Sequence, residues 1–344
     1  MATGLFYSEE CLRHDTGGHP ESRGRLQAIL SRLRSASGLP HLLFMDAPAA
    51  EMDWVGAVHA SSHLDRLAGL ARQGGGWLDG DTYVSTGSLS AALHAAGGAV
   101  AAAEQLLRGD LDNAFVAVRP PGHHATSYHG MGFCLFNNVA VAVRRSQALG
   151  LARRVAVVDF DVHHGNGTQD LFYEDPSVLV FSCHQSPLYP GTGHYNEAGR
   201  GAGQGYTVNV PMPAGCGDEA YDHVMREVLA PALRWFRPDV LFVSAGYDSH
   251  WADPLAGMKV SVPGFGTLAE RIASLAGELC RGRMVWVLEG GYDPRALAAA
   301  VEASVRVLSG GKPDVVDPHG PAPVALGVEA VERVVAAVRG VHGL

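Results

Sequence analysis

Residues 155–169 read VAVVDFDVHHGNGTQ, an apolar run that ends by delivering Asp159, Asp161 and His163 at alternate positions. Side chains at i, i+2 and i+4 of an extended chain point the same way, so a strand leaving a sheet here aims two carboxylates and an imidazole into one cavity. The apolar residues 155–158 leave no polar face, which predicts a strand covered by helices on both sides, as in a parallel sheet. Taken alone, the string also fits a loop of solvated polar residues after a strand, and the rest of the chain has to separate the two.

Further strand-like runs occur at 114–118, 178–182, 207–210, 240–244 and 284–288. Between most of them, apolar residues recur at helical spacing, over 21–33, 61–72, 89–107, 138–149, 219–236, 265–280 and 294–308. Alternating strands and helices predict an α/β chain with a mostly parallel sheet and helices on both faces. With 344 residues, 47% of them hydrophobic, and no low-complexity linker or internal repeat, one domain over 1–344 is expected. Gly74 to Gly76 could pass for a short hinge, and the Gly/Pro-rich segment 310–323 leads to a final surface helix over 327–338.

The opening residues MATGLFYSEE lack the basic start and apolar middle of a secretory signal, and the long apolar stretch 91–107 is interrupted by His94 and Glu104. A cytoplasmic protein without a membrane partner is expected. Five scattered cysteines show neither zinc-ribbon nor disulfide spacing, so reduced thiols are expected. A formal net charge of -9 disfavours nucleic acid and is compatible with cationic substrates.

The polar clusters follow the strands. His123 and His124 come after 114–118, Asp248 after 240–244 and Tyr292 after 284–288. Ligands of open α/β sheets bind beyond the carboxyl ends of the strands, so these clusters converge on one pocket. Asp161, His163 and Asp248 form a three-ligand set that leaves coordination positions open, as a catalytic metal site does; Zn(II) fits it, and an oxygen-rich set also admits Fe(II). The pair in RPPGHHA then supplies what amide hydrolysis requires, an imidazole that takes a proton from water and returns one to the leaving amine. Asp159 can hold one imidazole in its tautomer and Asn166 the other. Tyr292, after Glu289, Gly290 and Gly291, can donate to an oxyanion, and Phe133 and Tyr189 can wall a narrow channel. A two-manganese ureohydrolase site needs more carboxylates, but Gly165 stands where another Asp is required and SAGYDSH offers Asp248 alone.

RPPGHHA, GFCLFNN, VDFDVHHGNGTQ, SCHQSPLYPGTG, SAGYDSH and LEGGY, in this order, resemble the zinc-dependent histone deacetylase family and its bacterial acetylpolyamine amidohydrolase relatives. The likeness runs from HPESRGR at His19 to LEGGY. It implies a three-layer α/β/α arginase/deacetylase fold around an eight-stranded, mainly parallel sheet. It also implies Asp161, His163 and Asp248 as zinc ligands, His124 as general base and acid, His123 as its electrostatic partner, Asp159 and Asn166 as orienting residues and Tyr292 as oxyanion donor. Gly132 and Phe133 match the acyl-lysine channel, with Tyr189 opposite, and Arg25 matches an arginine at an internal cavity. Structural K+ is implied through positions matching Asp159, Asp161, His163, Ser182 and Cys183, and a second through Phe172, Asp175, Val178 and Tyr206. Asn166 makes the chain class II-like, and the insertion that shapes polyamine-selective channels is missing from the segment before Glu104.

The expected activity is removal of acetyl or other acyl groups from lysine side chains or small primary amines. An acetylpolyamine deacetylase is the alternative within the class, and a noncatalytic acyl-lysine-binding protein the alternative outside it. Monomer and homo-oligomer stay open.

Overall fold

In the computed structural model, which describes residues 2–39 and 41–344, all strands of the main sheet run parallel. The strands are β1 (Thr3–Tyr7), β2 (Leu42–Asp46), the short β3 (Gly76–Trp77) and β4 (Tyr83–Val84), β5 (Asn113–Val116), β6 (Val155–Asp159), β7 (Val178–Gln185), β8 (Thr207–Met212), β9 (Val240–Ala245) and β10 (Met284–Leu288). Eight of them form the sheet in the order β2-β1-β5-β10-β9-β6-β7-β8, while β3 and β4 form a separate antiparallel hairpin. The helices are α1 (Arg23–Ser35), α2 (Met52–Gly56), α3 (Ser61–Arg72), α4 (Ser88–Arg108), α5 (Asn138–Ala148), α6 (Asn166–Phe172), α7 (Asp218–Val224), α8 (Ala230–Phe236), α9 (Val262–Cys280), α10 (Pro294–Leu308) and α11 (Val328–His342).

One helical layer is formed by α1, α10 and α9 packed side by side, and the other by α4 against α5. The central strands β5, β6, β9 and β10 are buried along their whole length, which is why they read as continuous apolar runs. The fold is therefore the three-layer α/β/α sandwich expected. α11 packs on the edge strand β8 and on α7.

Helix boundaries follow local chemistry. Asp293 caps α10 by accepting from the Arg295 and Ala296 amides with Pro294 in the first turn, and Ser261 caps α9 in the same way through Gly264 N. α4 stops at Gly109, which takes the left-handed conformation (φ 90).

Several elements depart from the sequence expectation. β1 and β2 are absent from the expected strands, and β2 is an edge strand with Leu43 and Phe44 exposed. The helix expected over 219–236 is divided by a π turn, Met225–Leu229, between α7 and α8. Gly74 and Gly75 (φ 99 and 121) turn the chain from α3 into the β3–β4 hairpin, so the expected hinge is a tight turn. Among the described residues, no helix is long and apolar enough to cross a membrane.

The closest backbone approach in this layer is at Gly97 of α4, where a Cβ would overlap Pro48 O and Ala50 N, and where Ala50 N donates to Leu93 O at 2.8 Å. Gly97→Ala is expected to destabilise the fold by about 2 kcal/mol, since overpacking typically exceeds the gain in helix propensity. Gly69→Ala in α3, where nothing lies within 4 Å of the new carbon, should instead stabilise by up to about 1 kcal/mol. Urea midpoints of the two variants, moving in opposite directions, check this.

Candidate active site

The strand order decides where the chemistry gathers. The loops that carry His123/His124, Tyr292, Asp248 and Asp161/His163 leave β5, β10, β9 and β6, which are consecutive neighbours in the middle of the sheet. Their carboxyl ends therefore face one hollow.

Asp161, His163 and Asp248 are brought together there, with donor atoms all within 4.8 Å of one another and every residue buried. Backbone amides fix the carboxylates: Gly290 N donates to Asp161 Oδ2 at 2.8 Å and Val162 N to Asp248 Oδ1 at 2.9 Å. His163 Nδ1 lies 3.2 Å from Asp161 Oδ1 and 3.1 Å from Asp248 Oδ2. Burial lowers the pKa of His163, but the hydrogen bonds and charges of the two carboxylates outweigh it and raise it to about 10. A field that holds a proton so firmly also favours a cation, and two carboxylates with one imidazole nitrogen match a Zn(II) or Fe(II) donor set. The residues fit a divalent metal.

His123 and His124 lie behind this cluster, 4.0 Å apart between ring centroids and both buried. They differ in what each faces. His123 Nδ1 meets the Asp159 carboxylate at 3.0 Å, and His124 Nδ1 meets the Asn166 carboxamide oxygen at 2.8 Å. A carboxamide oxygen only accepts, so the His124 proton sits on Nδ1 and Nε2 keeps its lone pair. Burial disfavours charge on both rings. For His123 the charges of Asp161 and Asp159 reverse this and push its pKa well above the ordinary value. For His124, burial is reinforced by His123 and His163, and its pKa falls well below.

Tyr292 stands over this site. Its ring meets Phe133 edge-on at 5.6 Å and the Arg25 guanidinium at 4.9 Å, and among the described residues its hydroxyl has no hydrogen-bond partner. Phe133 and Tyr189 are not in ring contact. Phe133 packs on Tyr292 and His19, whereas Tyr189 packs on His124 at 5.2 Å and His163 at 6.3 Å, so the two rings flank the approach. At Gly132 (φ 55) a Cβ would overlap the His124 ring and come within 3.0 Å of Tyr189 Cε1, so only a bare backbone keeps this passage open.

The positions matched to potassium fall into two groups. Asp159 and Ser182 are paired in register across β6 and β7, Cys183 donates its thiol to Asp159 O, and Asp161 and His163 follow directly. Phe172, Asp175, Val178 and Tyr206 meet at the turn from α6 into β7, where Asp175 N bonds Phe172 O, Val178 N bonds Asp175 O and Val180 N bonds Tyr206 O. Arg25 is fully buried and donates to Gly291 O at 2.6 Å, Glu289 O at 2.5 Å and Glu21 Oε1 at 3.1 Å.

Several participants were not singled out from sequence. Glu289 accepts from Gly122 N at 2.6 Å and His123 N at 3.1 Å, pinning the turn of the histidine pair; its signal is a charged residue closing the apolar run MVWVLE. It also groups with His123 and Cys134, but its oxygens are engaged by those amides and by Ser244, and burial raises the Cys134 thiol far above its usual range. Asp253 accepts from Tyr292 N at 2.6 Å. His59 and His63 hold the loop that carries Gly132 and Phe133: His59 Nδ1 donates to Thr126 O at 2.8 Å and its Nε2 accepts from Asn137 N at 2.9 Å, while His63 Nε2 donates to Leu135 O at 2.8 Å. No spacing pattern marks them.

With these features in place, comparison with known proteins is specific. A model of the histone deacetylase domain matches residues 19–308. A probable deacetylase of Archaeoglobus fulgidus is 41% identical over 296 residues, 85% of this chain and 82% of that protein. A histone deacetylase-like amidohydrolase of Pseudomonas aeruginosa is 36% identical over 339 residues, 92% of this chain and 88% of that protein. Among solved structures, the crystal structure of the HDA15 HD domain superposes with a TM-score of 0.89 at 36% identity, covering 99% of this chain and 94% of that one. The chain belongs to the histone deacetylase family.

One pH dependence follows from the loop anchors. Burial, reinforced by His63, lowers the His59 pKa to about 4, so the folded protein keeps His59 neutral while the unfolded chain protonates it below about 6.5. Stability from this residue is therefore present above pH 6.5 and lost as pH falls toward 4. The loss should reach about 1.4 kcal/mol per pH unit within that window. Subtracting the urea unfolding free energy of His59→Gln from that of the wild type, at pH 7, 6, 5 and 4, isolates the slope; a pH-independent difference would refute the assignment.

Proposed function

We propose that residues 1–344 act as one metal-dependent deacetylase domain that hydrolyses N-acetyl or other N-acyl groups from lysine side chains or similar primary amines. The observation that carries this is the division between His123, facing a carboxylate, and His124, facing a carboxamide, beside a buried Asp/His/Asp cluster. A binding module has no need of a neutral imidazole with a free lone pair next to a cationic one.

Asp161, His163 and Asp248 would hold the metal, Zn(II) by preference with Fe(II) compatible; when bound, it supplies Lewis acidity toward the amide carbonyl and toward water. His124 Nε2 takes the proton of the attacking water and returns it to the departing amine. His123, kept cationic by Asp161 and Asp159, offsets the negative charge that builds in the transition state. Tyr292 donates its free hydroxyl to the developing oxyanion. Gly132, Phe133 and Tyr189 hold the acyl-amine arm and exclude water. Potassium at Asp159, Asp161, His163, Ser182 and Cys183, and at Phe172, Asp175, Val178 and Tyr206, would be structural. The substrate is an acylated lysine or a small acylated amine, and a screen of acyl-lysine peptides against acetylated polyamines decides which.

Asp161→Ala, His163→Ala and Asp248→Ala should each lose stoichiometric metal, measured by elemental analysis, together with nearly all turnover. A metal-free preparation with full activity would overturn the mechanism.

His124→Ala should lower kcat by about 10²- to 10⁴-fold, with His123→Ala retaining more activity. Tyr292→Phe should cut kcat by about 10²- to 10³-fold while hydroxamate affinity stays near that of the wild type. Equal small losses in the two histidine variants, or wild-type turnover in Tyr292→Phe, would show the roles to be misassigned.

A further inference from the structure

The segment after α10 lies beyond the residues matched by the family model, yet it runs directly over two loops of the site. Asp317 and His319 face into the molecule from this strap. Asp317 Oδ2 accepts from His250 Nε2 at 2.9 Å and Trp251 Nε1 at 3.2 Å, on the loop that follows Asp248. His250 Nδ1 accepts from Ala252 N at 3.1 Å, which leaves the ring proton on Nε2 for Asp317. His319 Nε2 donates to Asp293 Oδ1 at 3.0 Å, and Asp293 directly follows Tyr292 and caps α10. From the Tyr292 side, Arg295 Nη2 donates to Pro318 O at 2.9 Å. The strap is itself rigid at this point, because His319 N donates to Asp317 Oδ1 at 2.9 Å and the Trp251 and His319 rings meet edge-on at 5.8 Å.

The Tyr292 loop needs such a support. It contains Gly290 and Gly291, the latter at φ 115, and backbone without side chains has little stiffness of its own. The Tyr292 hydroxyl has no hydrogen-bond partner among the described residues, so its location is set by the backbone and by ring packing alone. Below, Arg25 grips the carbonyls of Glu289 and Gly291; beside it, Asp253 accepts from Tyr292 N at 2.6 Å. Asp253 belongs to the same loop as His250 and Trp251, so Asp317 steadies the acceptor of Tyr292 N while His319 steadies the residue after it.

We propose that residues 317–319 are a clasp that positions Tyr292 against the Asp248 loop, with His319 the positioning residue that acts through the Tyr292 hydroxyl. This rests on the deacylase function proposed above. A positioning contact of this kind sets how well the donor meets the oxyanion, and a displacement of about 1 Å at a catalytic group can cost as much as 10²-fold in rate. It leaves ground-state binding and the metal ligands alone.

The test uses the full, metal-loaded chain with His319→Ala and His319→Gln, each made in the wild type and in Tyr292→Phe. His319→Gln keeps an N–H donor close to the place of Nε2. Three results are expected together. His319→Ala lowers kcat for an acetyl-lysine substrate by about 10-fold with KM, hydroxamate affinity and metal content within about two-fold. His319→Gln recovers most of the loss. In the Tyr292→Phe background His319→Ala has no further effect, because the hydroxyl it positions is gone. Equal losses in both backgrounds would make His319 a general structural residue and overturn the proposal, as would an unchanged kcat.

Hydrogen exchange separates this outcome from a failure of the functional reading. In His319→Ala the amides of Tyr292, Arg295 and Ala296 should exchange at least about five-fold faster, with α1 and the central strands unchanged. If the wild type hydrolyses no acyl amine, the deacylase assignment falls, and the exchange result alone decides the clasp: faster exchange confined to these amides supports it, and unchanged exchange refutes it.

Discussion

Buried negative charge is the constraint to which the rest of this molecule answers. Glu21, Asp159, Asp161, Asp248 and Glu289 are essentially without solvent exposure. An uncompensated carboxylate in such a place costs several kcal/mol, so each has to find a partner. Glu21 lies between two fully buried guanidiniums, with Arg119 Nη2 at 2.6 Å and Arg25 Nη1 at 3.1 Å. Asp159 takes His123, and Glu289 takes two backbone amides of the histidine turn. Beyond their backbone donors Asp161 and Asp248 share the His163 imidazole, and His123 Nε2 lies 3.8 Å from Asp161 Oδ1. The surplus of negative charge is thus concentrated at one point, and that point is where a dication fits.

The same balance divides labour between two adjacent residues of identical type. His123 and His124 are equally buried and their rings nearly touch, so desolvation acts on both alike. The charges of Asp161 and Asp159 raise His123, whereas His124 faces an uncharged carboxamide and two imidazoles that lower it, and that difference sends the two pKa values apart. A cationic His123 also makes protonation of its neighbour harder, which keeps the His124 ring neutral. Two imidazoles of opposite character therefore follow from Asp159 at the end of β6, Asp161 just beyond it and Asn166 at the start of α6. The environment supplies the rest.

How much of this was legible in the sequence follows from the kind of interaction involved. Fully buried strands read clearly because their apolar runs stand out, and Asp159, Asp161 and His163 stood out as a local string, although β6 ends at Asp159 and the other two lie on the loop beyond it. β2 did not, since an edge strand with exposed Leu43 and Phe44 has no such signature. The π turn within 218–236 escaped because its residues keep helical amphipathicity. Asp253, His59 and His63 are single polar residues whose partners lie far along the chain, for example His63 and Leu135, or Asp253 and Tyr292, and neither spacing nor composition reveals such pairs. Glu289 was visible as part of LEGGY, but its hold on the amides of Gly122 and His123 depends on β5 and β10 being neighbours, which only the sheet order supplies.

The glycines at the strand ends join these parts mechanically. A Cβ at Gly246 would overlap the Asp161 carboxylate, and one at Gly290 would overlap the Asp248 carboxylate. Both carboxylates therefore rest directly on bare backbone of the segments just after β9 and β10, and Gly290 N returns a hydrogen bond to Asp161. Tyr292 is two residues further along that backbone. Asp161, Asp248 and Tyr292 consequently share one support, so a side chain introduced at Gly290 moves all three at once; under the proposed function, metal affinity and turnover then fall together. A change at the Tyr292 hydroxyl leaves the carboxylates where they are. Which property a substitution alters thus reports whether it acts on the shared backbone or on the donor alone.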